Sequence, residues 1–236
     1  MSDLGDALEA MHTSVRRWTT LRLSGHEWRH EPTLLRAFQH HFEELRRQQP
    51  GSVQSMVAFK STGGGEPPEE TRQDWRMWLA KPDRRRVEFR VGDEVVTAVF
   101  RGEWWWSRSR TQGVITNDGA ANQEHGSGPA EGLIDPARHL SSLGLEPEGR
   151  SSFLSRPAII VKATPRASKR GSFDETLHML GTGADEYRLV VDSETGILLR
   201  GEARFHGDVF RVVEVEEIAV DETFSENTFD PDTLGG

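Results

Sequence analysis

The chain has 236 residues, 35% hydrophobic and 28% charged, with a net charge of −9 and no cysteine. A chain of this length buries roughly 70% of its unfolded surface on folding and needs no covalent staple. The acidic balance argues against a duplex nucleic-acid binder, and the missing cysteines exclude disulfides, thiolate metal sites and Cys nucleophiles.

Met1–Ser2–Asp3 reads as a natural start. Asp3, Asp6 and Glu9, with Leu4, Leu8, Met11, Val15 and Trp18 at helical spacing, do not have the basic-then-apolar layout of a secretory signal. No apolar run is long enough to span a bilayer. The expectation is a cytoplasmic protein that does not span the membrane.

Residues 3–17 predict an amphipathic helix, acidic first and basic last (Arg16–Arg17), as the helix dipole favours. A strand follows at "TTLRLSGHEWRH". Pro32 opens a second helix with Leu34, Leu35, Phe38, Phe42 and Leu45 on one face, and Pro50–Gly51 stops it. The period then changes to two. "SVQSMVAFK" alternates Val53, Ser55, Val57 and Phe59 against Gln54, Met56, Ala58 and Lys60. "RQDWRMWLA" places Trp75, Met77 and Leu79 on one face. "RRVEFRV" and "EVVTAVF" flank a Gly92–Asp93 turn, and "EWWWSRS" follows Gly102.

"DPARHLSSLG" predicts a short helix with Asp135 as N-cap, Pro136 at N1 and Gly144 at its end. "EYRLVVD", "ILLRGEARF" and "VFRVVEVEEIAV" complete the strands. Mobile loops are expected near 61–71, 117–134 and 164–173. Helices sit at one end and in mid-chain insertions rather than between strands. That order excludes a doubly wound sheet and gives an α+β class: one curved antiparallel sheet covered by a few helices, in a single domain over 1–236.

Three passages resemble the LolA lipoprotein-carrier family, which includes the LolA-like domain of RseB-type regulators. "WLAKPDRRRVEFR" is similar to the family's strand with a Lys-Pro turn and following arginine. "AVFRGEWWWSRS" resembles its Gly-turn and aromatic strand. "LVVDSETGILLRGEARFHGDVFRVVEVEEIAVDETFSENTF" resembles its C-terminal Asp-x-x-Thr-Gly hairpin, two long strands and closing Phe. The resemblance covers about residues 3–230. It implies a half-open antiparallel barrel with an apolar concave face, lidded by helices, that holds acyl chains or other hydrophobic ligands.

The cavity this implies would be lined by Phe38 and Phe42 of the second helix and by the strand residues Val57, Phe59, Trp75, Met77, Phe89, Trp104, Trp105 and Trp106, under lids at 119–145 and 164–185. Alternation puts Trp104 and Trp106 on one face and Trp105 on the other, and leaves open which face is the cavity. The bland alternative for the triplet is core and lid packing. The run Arg84–Arg86 reads as a solvated strand edge or, alternatively, a phosphate or carboxylate site. His26, Trp28 and His30 share a strand face, and a metal there would need a further ligand such as His41; scattered surface histidines explain them as well. No G-x-S-x-G, P-loop, G-x-G-x-x-G or HExxH motif occurs.

The expected function is therefore a non-catalytic binding protein without cofactor or metal, whose partner is a hydrophobic small molecule, lipid or acyl chain. The alternatives are an RseB-like regulatory module that binds a protein partner, and a cofactor-free biosynthetic enzyme using the cavity.

Overall fold

Side-chain alternation sorts the strands into two faces and builds one continuous sheet. The computed structural model describes residues 3–48, 68–117, 128–166 and 175–235. Its helices are α1 (Asp3–Thr13), α2 (Glu31–Gln48), α3 (Glu131–Ile134) and α4 (Glu175–Gly181). Its strands are β1 (Thr20–His30), β2 (Glu70–Ala80), β3 (Arg84–Val91), β4 (Glu94–Arg101), β5 (Trp104–Ser109), β6 (Gly113–Thr116), β7 (Leu143–Phe153), β8 (Arg156–Pro165), β9 (Glu186–Asp192), β10 (Leu198–Phe205) and β11 (Asp208–Val220).

The order across the sheet is β6-β5-β4-β3-β2-β1-β11-β10-β9-β8-β7. Every neighbouring pair is antiparallel. β2 to β6 meander outward from β1, and β7 to β11 return inward from the far edge. The first and last strands therefore meet in the middle, with Leu21 opposite Val220 and Trp28 opposite Val212. This is the expected α+β architecture, an open, curved antiparallel sheet with few helices.

The inner face carries the helices. α1 buries Ala7, Ala10 and Met11 over the β7–β9 side. It lies so close to the Asp192–Gly196 turn that a Cβ on Gly196, at φ +76°, would stand 2.0 Å from the Ala10 carbonyl oxygen. Buried Asp192 holds that turn by accepting from the Thr195 amide (3.1 Å) and pairing with Arg156 (3.0 Å). α2 buries Thr33, Ala37 and Leu45, and Leu35 is exposed. A second, smaller core sits on the outer face. There Phe229 and Leu234 of the C-terminal 3-10 turns pack on Ala80 and Val99, flanked by Trp78, Trp106 and Phe224.

Three strands have no counterpart in the sequence reading: β6, β7 and β8. β7 is an edge strand that carries Glu146, Pro147, Glu148 and Arg150 and breaks register between Pro147 and Gly149. An edge with charges, proline and a bulge has no need of a period-two apolar face. The helix expected at 135–144 is a single 3-10 turn, Pro136–His139. Asp135 accepts from Arg138 (2.9 Å) instead of capping the turn, and Leu143–Gly144 open β7. The expected strand at 53–60 lies outside the described residues, as do 61–67, 118–127 and 167–173 of the expected loops. The remainder of those loops includes the start of β2, α3 and the end of β8.

Candidate functional site

Strand register lays the inner face of β11-β1-β2-β3-β4-β5 out in rows. One row reads Val220, Leu21, Leu79, Arg85, Phe100, Trp105. The next reads Ile218, Leu23, Met77, Val87, Ala98, Ser107, and a third reads Val215, Gly25, Trp75, Phe89, Val96. Beyond these the face turns polar: Val213, Glu27 and Gln73, then Arg211, Arg29 and Thr71. The apolar rows are aromatic-rich, and apart from Ser107 the one polar residue in them is Arg85.

Trp75 fits because its cross-strand neighbour is glycine. A Cβ on Gly25 would lie 1.9 Å from the Glu214 carbonyl oxygen and 2.7 Å from the Trp75 ring. The register shift between Ser24 and Gly25 brings the β11 backbone in at this point. Trp75 is 2% exposed, and its indole Nε1 has no hydrogen-bond partner among the described residues.

Gly128 and Glu131 lie over these rows. A Cβ on Gly128 would come within 3.3 Å of Val87 and 3.6 Å of Phe89, so the backbone of residue 128 rests on those two side chains. Glu131 of α3 then approaches Arg85, with Oε1 3.8 Å from Nη1. The Arg85 guanidinium lies 3.9 Å from the Phe100 ring centroid. Burial pushes the Arg85 pKa down; Glu131 opposes this and the charge of Arg138 adds to it.

At the polar end, Glu27 is 1% exposed. It accepts from Arg211 Nε (2.5 Å) and Arg29 Nη2 (2.7 Å), and Arg211 also donates to the Met179 carbonyl of α4. Burial raises the Glu27 pKa, but Arg211 and Arg29 together outweigh it, so its pKa lies below the ordinary value. Clamped between two arginines, it is their structural counter-ion.

Of the sequence-predicted residues, Trp75, Met77, Phe89 and Trp105 share the inner face, with Trp75 directly opposite Phe89. Phe38 and Phe42 lie on α2, half-buried, with ring centroids 4.7 Å apart. Trp104 and Trp106 lie on the outer face, where their rings stack at 6.2 Å. Trp104 is 47% exposed and Trp106 is covered by the C-terminal turns, so neither shares a surface with Trp75. Val57 and Phe59 lie outside the described residues. His26 pairs with Glu216 (2.9 Å), and His30 meets the buried Thr33 hydroxyl (2.8 Å). Among the described residues no group of three His, Asp or Glu could hold a metal ion.

The sequence reading passed over Phe100 and Arg85 as inner-face residues. Their signal was the alternation itself, since Arg85, Val87 and Phe89 are two apart. An open groove of about 650 Å³ is lined by Arg22, Arg76, Trp78, Glu88, Arg90 and Glu217, and also by Gly25, Trp75 and Phe89. Its charges are of both signs, with Arg22 paired to Glu222 (2.8 Å), as on a solvated face.

No family model matches the sequence, and no curated protein matches it. Solved structures do. MucB superposes with TM-score 0.54 at 13% identity over 98% of this chain, which spans 63% of the MucB chain. MucB in complex with MucA(peri) gives TM-score 0.44 at 13% identity, covering 96% of this chain and 58% of that one. The LolA superfamily protein NE2245 from Nitrosomonas europaea gives TM-score 0.35 at 7% identity, covering 97% and 98%. Over 98% of its length the chain shares the fold of MucB.

Proposed function

We propose that this protein is a non-catalytic binding protein that holds an apolar small molecule, lipid or acyl chain against the inner face of β2–β5. The observation that carries this reading is the apolar, aromatic-rich set of rows from Leu21 to Trp105, which contains a fully buried donor, Trp75 Nε1, without an acceptor among the described residues. A buried donor left unpaired costs about 1–3 kcal/mol, and a bound ligand that supplies an oxygen removes the penalty. Ligand sites combine this sort of apolar lining with a few convergent polar groups. Gly128 rests on Val87 and Phe89, so binding there requires that its backbone lift from them. A cytoplasmic location belongs to the same reading and is tested by fractionation of the host.

Native mass spectrometry before and after organic extraction tests it. An adduct that extraction removes, or that an added apolar ligand restores, is the expected result. A bare chain that also takes up no apolar probe contradicts it.

A second reading, a module that binds a protein partner, is favoured by one feature. β6 is the sheet's edge and carries Val114 and Ile115, 54% and 38% exposed. An apolar edge strand is a template for an added strand. A stoichiometric partner recovered by pull-down, and lost when Ile115 is replaced by lysine, would favour it.

A further inference from the structure

We propose that Arg85 anchors the anionic head of an amphiphile, a carboxylate or phosphate carried on an acyl chain, within the inner face. This deepens the binding role proposed above and rests on it.

An arginine in a row of Leu21, Leu79, Phe100 and Trp105 is out of place in a purely structural core, where charges are paired and hydrogen-bonded. Arg85 has neither in full. Its buried Nε has no hydrogen-bond partner among the described residues, and the Glu131 carboxylate stands at 3.8 Å, an ion pair longer than a hydrogen bond. The planar guanidinium lies over the Phe100 ring, which fixes its plane and leaves its edge donors for an incoming anion. Arg138, from the 3-10 turn after α3, is a second cation nearby, itself paired with Asp135 (2.9 Å).

The placement also suits an amphiphile. Arg85 is one residue inside β3 from the 81–83 turn and its side chain is 23% exposed, so it stands at the rim. Val87, 1% exposed, lies further in, and Phe89 lies opposite Trp75. Four residues of strand, about 13 Å, separate the cation from Phe89 and give an apolar track for a chain. Glu131 is then the residue a ligand head displaces from Arg85.

Calorimetric titration of the full chain with laurate, dodecyl phosphate and dodecanol tests this. In the wild type one or both anions should bind about tenfold or more tighter than the alcohol, as a charge-assisted contact implies. Arg85→Met should abolish the preference and leave dodecanol binding in place, whereas Arg85→Lys should keep part of it. Glu131→Gln should raise affinity for the anions alone, a change that a merely structural Arg85 would not produce. Tighter binding of the phosphate than of laurate assigns the head to a phosphate-bearing lipid, and the reverse order assigns it to a free fatty acid. Equal binding of all three probes, or a preference that survives Arg85→Met, overturns the anchor and leaves the apolar reading standing. Failure of all three to bind overturns both. Should Arg85→Met not fold, the lysine and Glu131→Gln variants still decide.

Discussion

Replacing Glu27 with glutamine removes the charge that joins the middle of the sheet to α4. Glu27 of β1 takes Arg211 of β11 and Arg29, and Arg211 reaches the Met179 carbonyl. Glutamine keeps an acceptor but leaves Arg211, whose side chain is 10% exposed, without its counter-charge. Breaking a buried pair on one side costs about 3–5 kcal/mol. Arg29 is 39% exposed and recovers water, so it adds little. A loss of about 3 kcal/mol at neutral pH follows. The pH dependence has a definite sign. The folded pKa of Glu27 lies below its ordinary value of 4.5, because the two arginines outweigh the effect of burial. Its stabilisation is therefore complete above that ordinary value and is lost as pH falls through the lower folded pKa. Chemical denaturation of the wild type and Glu27→Gln across this range should give curves well separated at neutral pH that converge in acid. A gap under about 1 kcal/mol at neutral pH, or one that persists unchanged into acid, would refute the account of this cluster.

Gly25→Ala should prevent stable folding or cost more than about 3 kcal/mol, because the new methyl meets the β11 backbone and not a movable side chain; thermal unfolding against a Ser24→Ala control checks it. Trp105→Ala should cost about 3–5 kcal/mol and Trp104→Ala about 1 kcal/mol or less, since the first ring is 8% exposed and the second 47%. Equal losses in urea denaturation would contradict the assignment of faces. Phe229→Ala should cost about 3 kcal/mol and release the C-terminal turns from Ala80 and Val99, read as faster proteolysis after residue 221 with the rest of the chain intact.

The elements whose faces differ in polarity were legible in the sequence. β1, β2, β4 and β9 are periodic or densely apolar, and their bounds agree with the reading to within a residue or two. The polar edge strand β7 was not legible, because its pairing to β8 rests on backbone hydrogen bonds that any sequence can make. The tryptophan triplet shows the same limit. Alternation divides the rings two to one, but nothing local says which side the helices cover. The cover on the outer side comes from Phe224, Phe229 and Leu234, more than a hundred residues away. Arg85 was read as part of a charged run, although its parity with Val87 and Phe89 already placed it on the inner face. The reason for Gly25, the bulk of Trp75 against a bulged β11, exists only in three dimensions.

The claim that the inner face of β2–β5 holds an apolar ligand is tested most directly by the indole N–H signals of the seven tryptophans, assigned by single substitutions and followed by NMR as laurate is added. The account predicts that the Trp75 signal shifts strongly as its donor gains an acceptor, that Trp105 responds with it, and that Trp104 on the outer face stays in place. Movement of Trp104 and Trp106 with Trp75 unchanged, or no movement at all at saturating ligand, would contradict it.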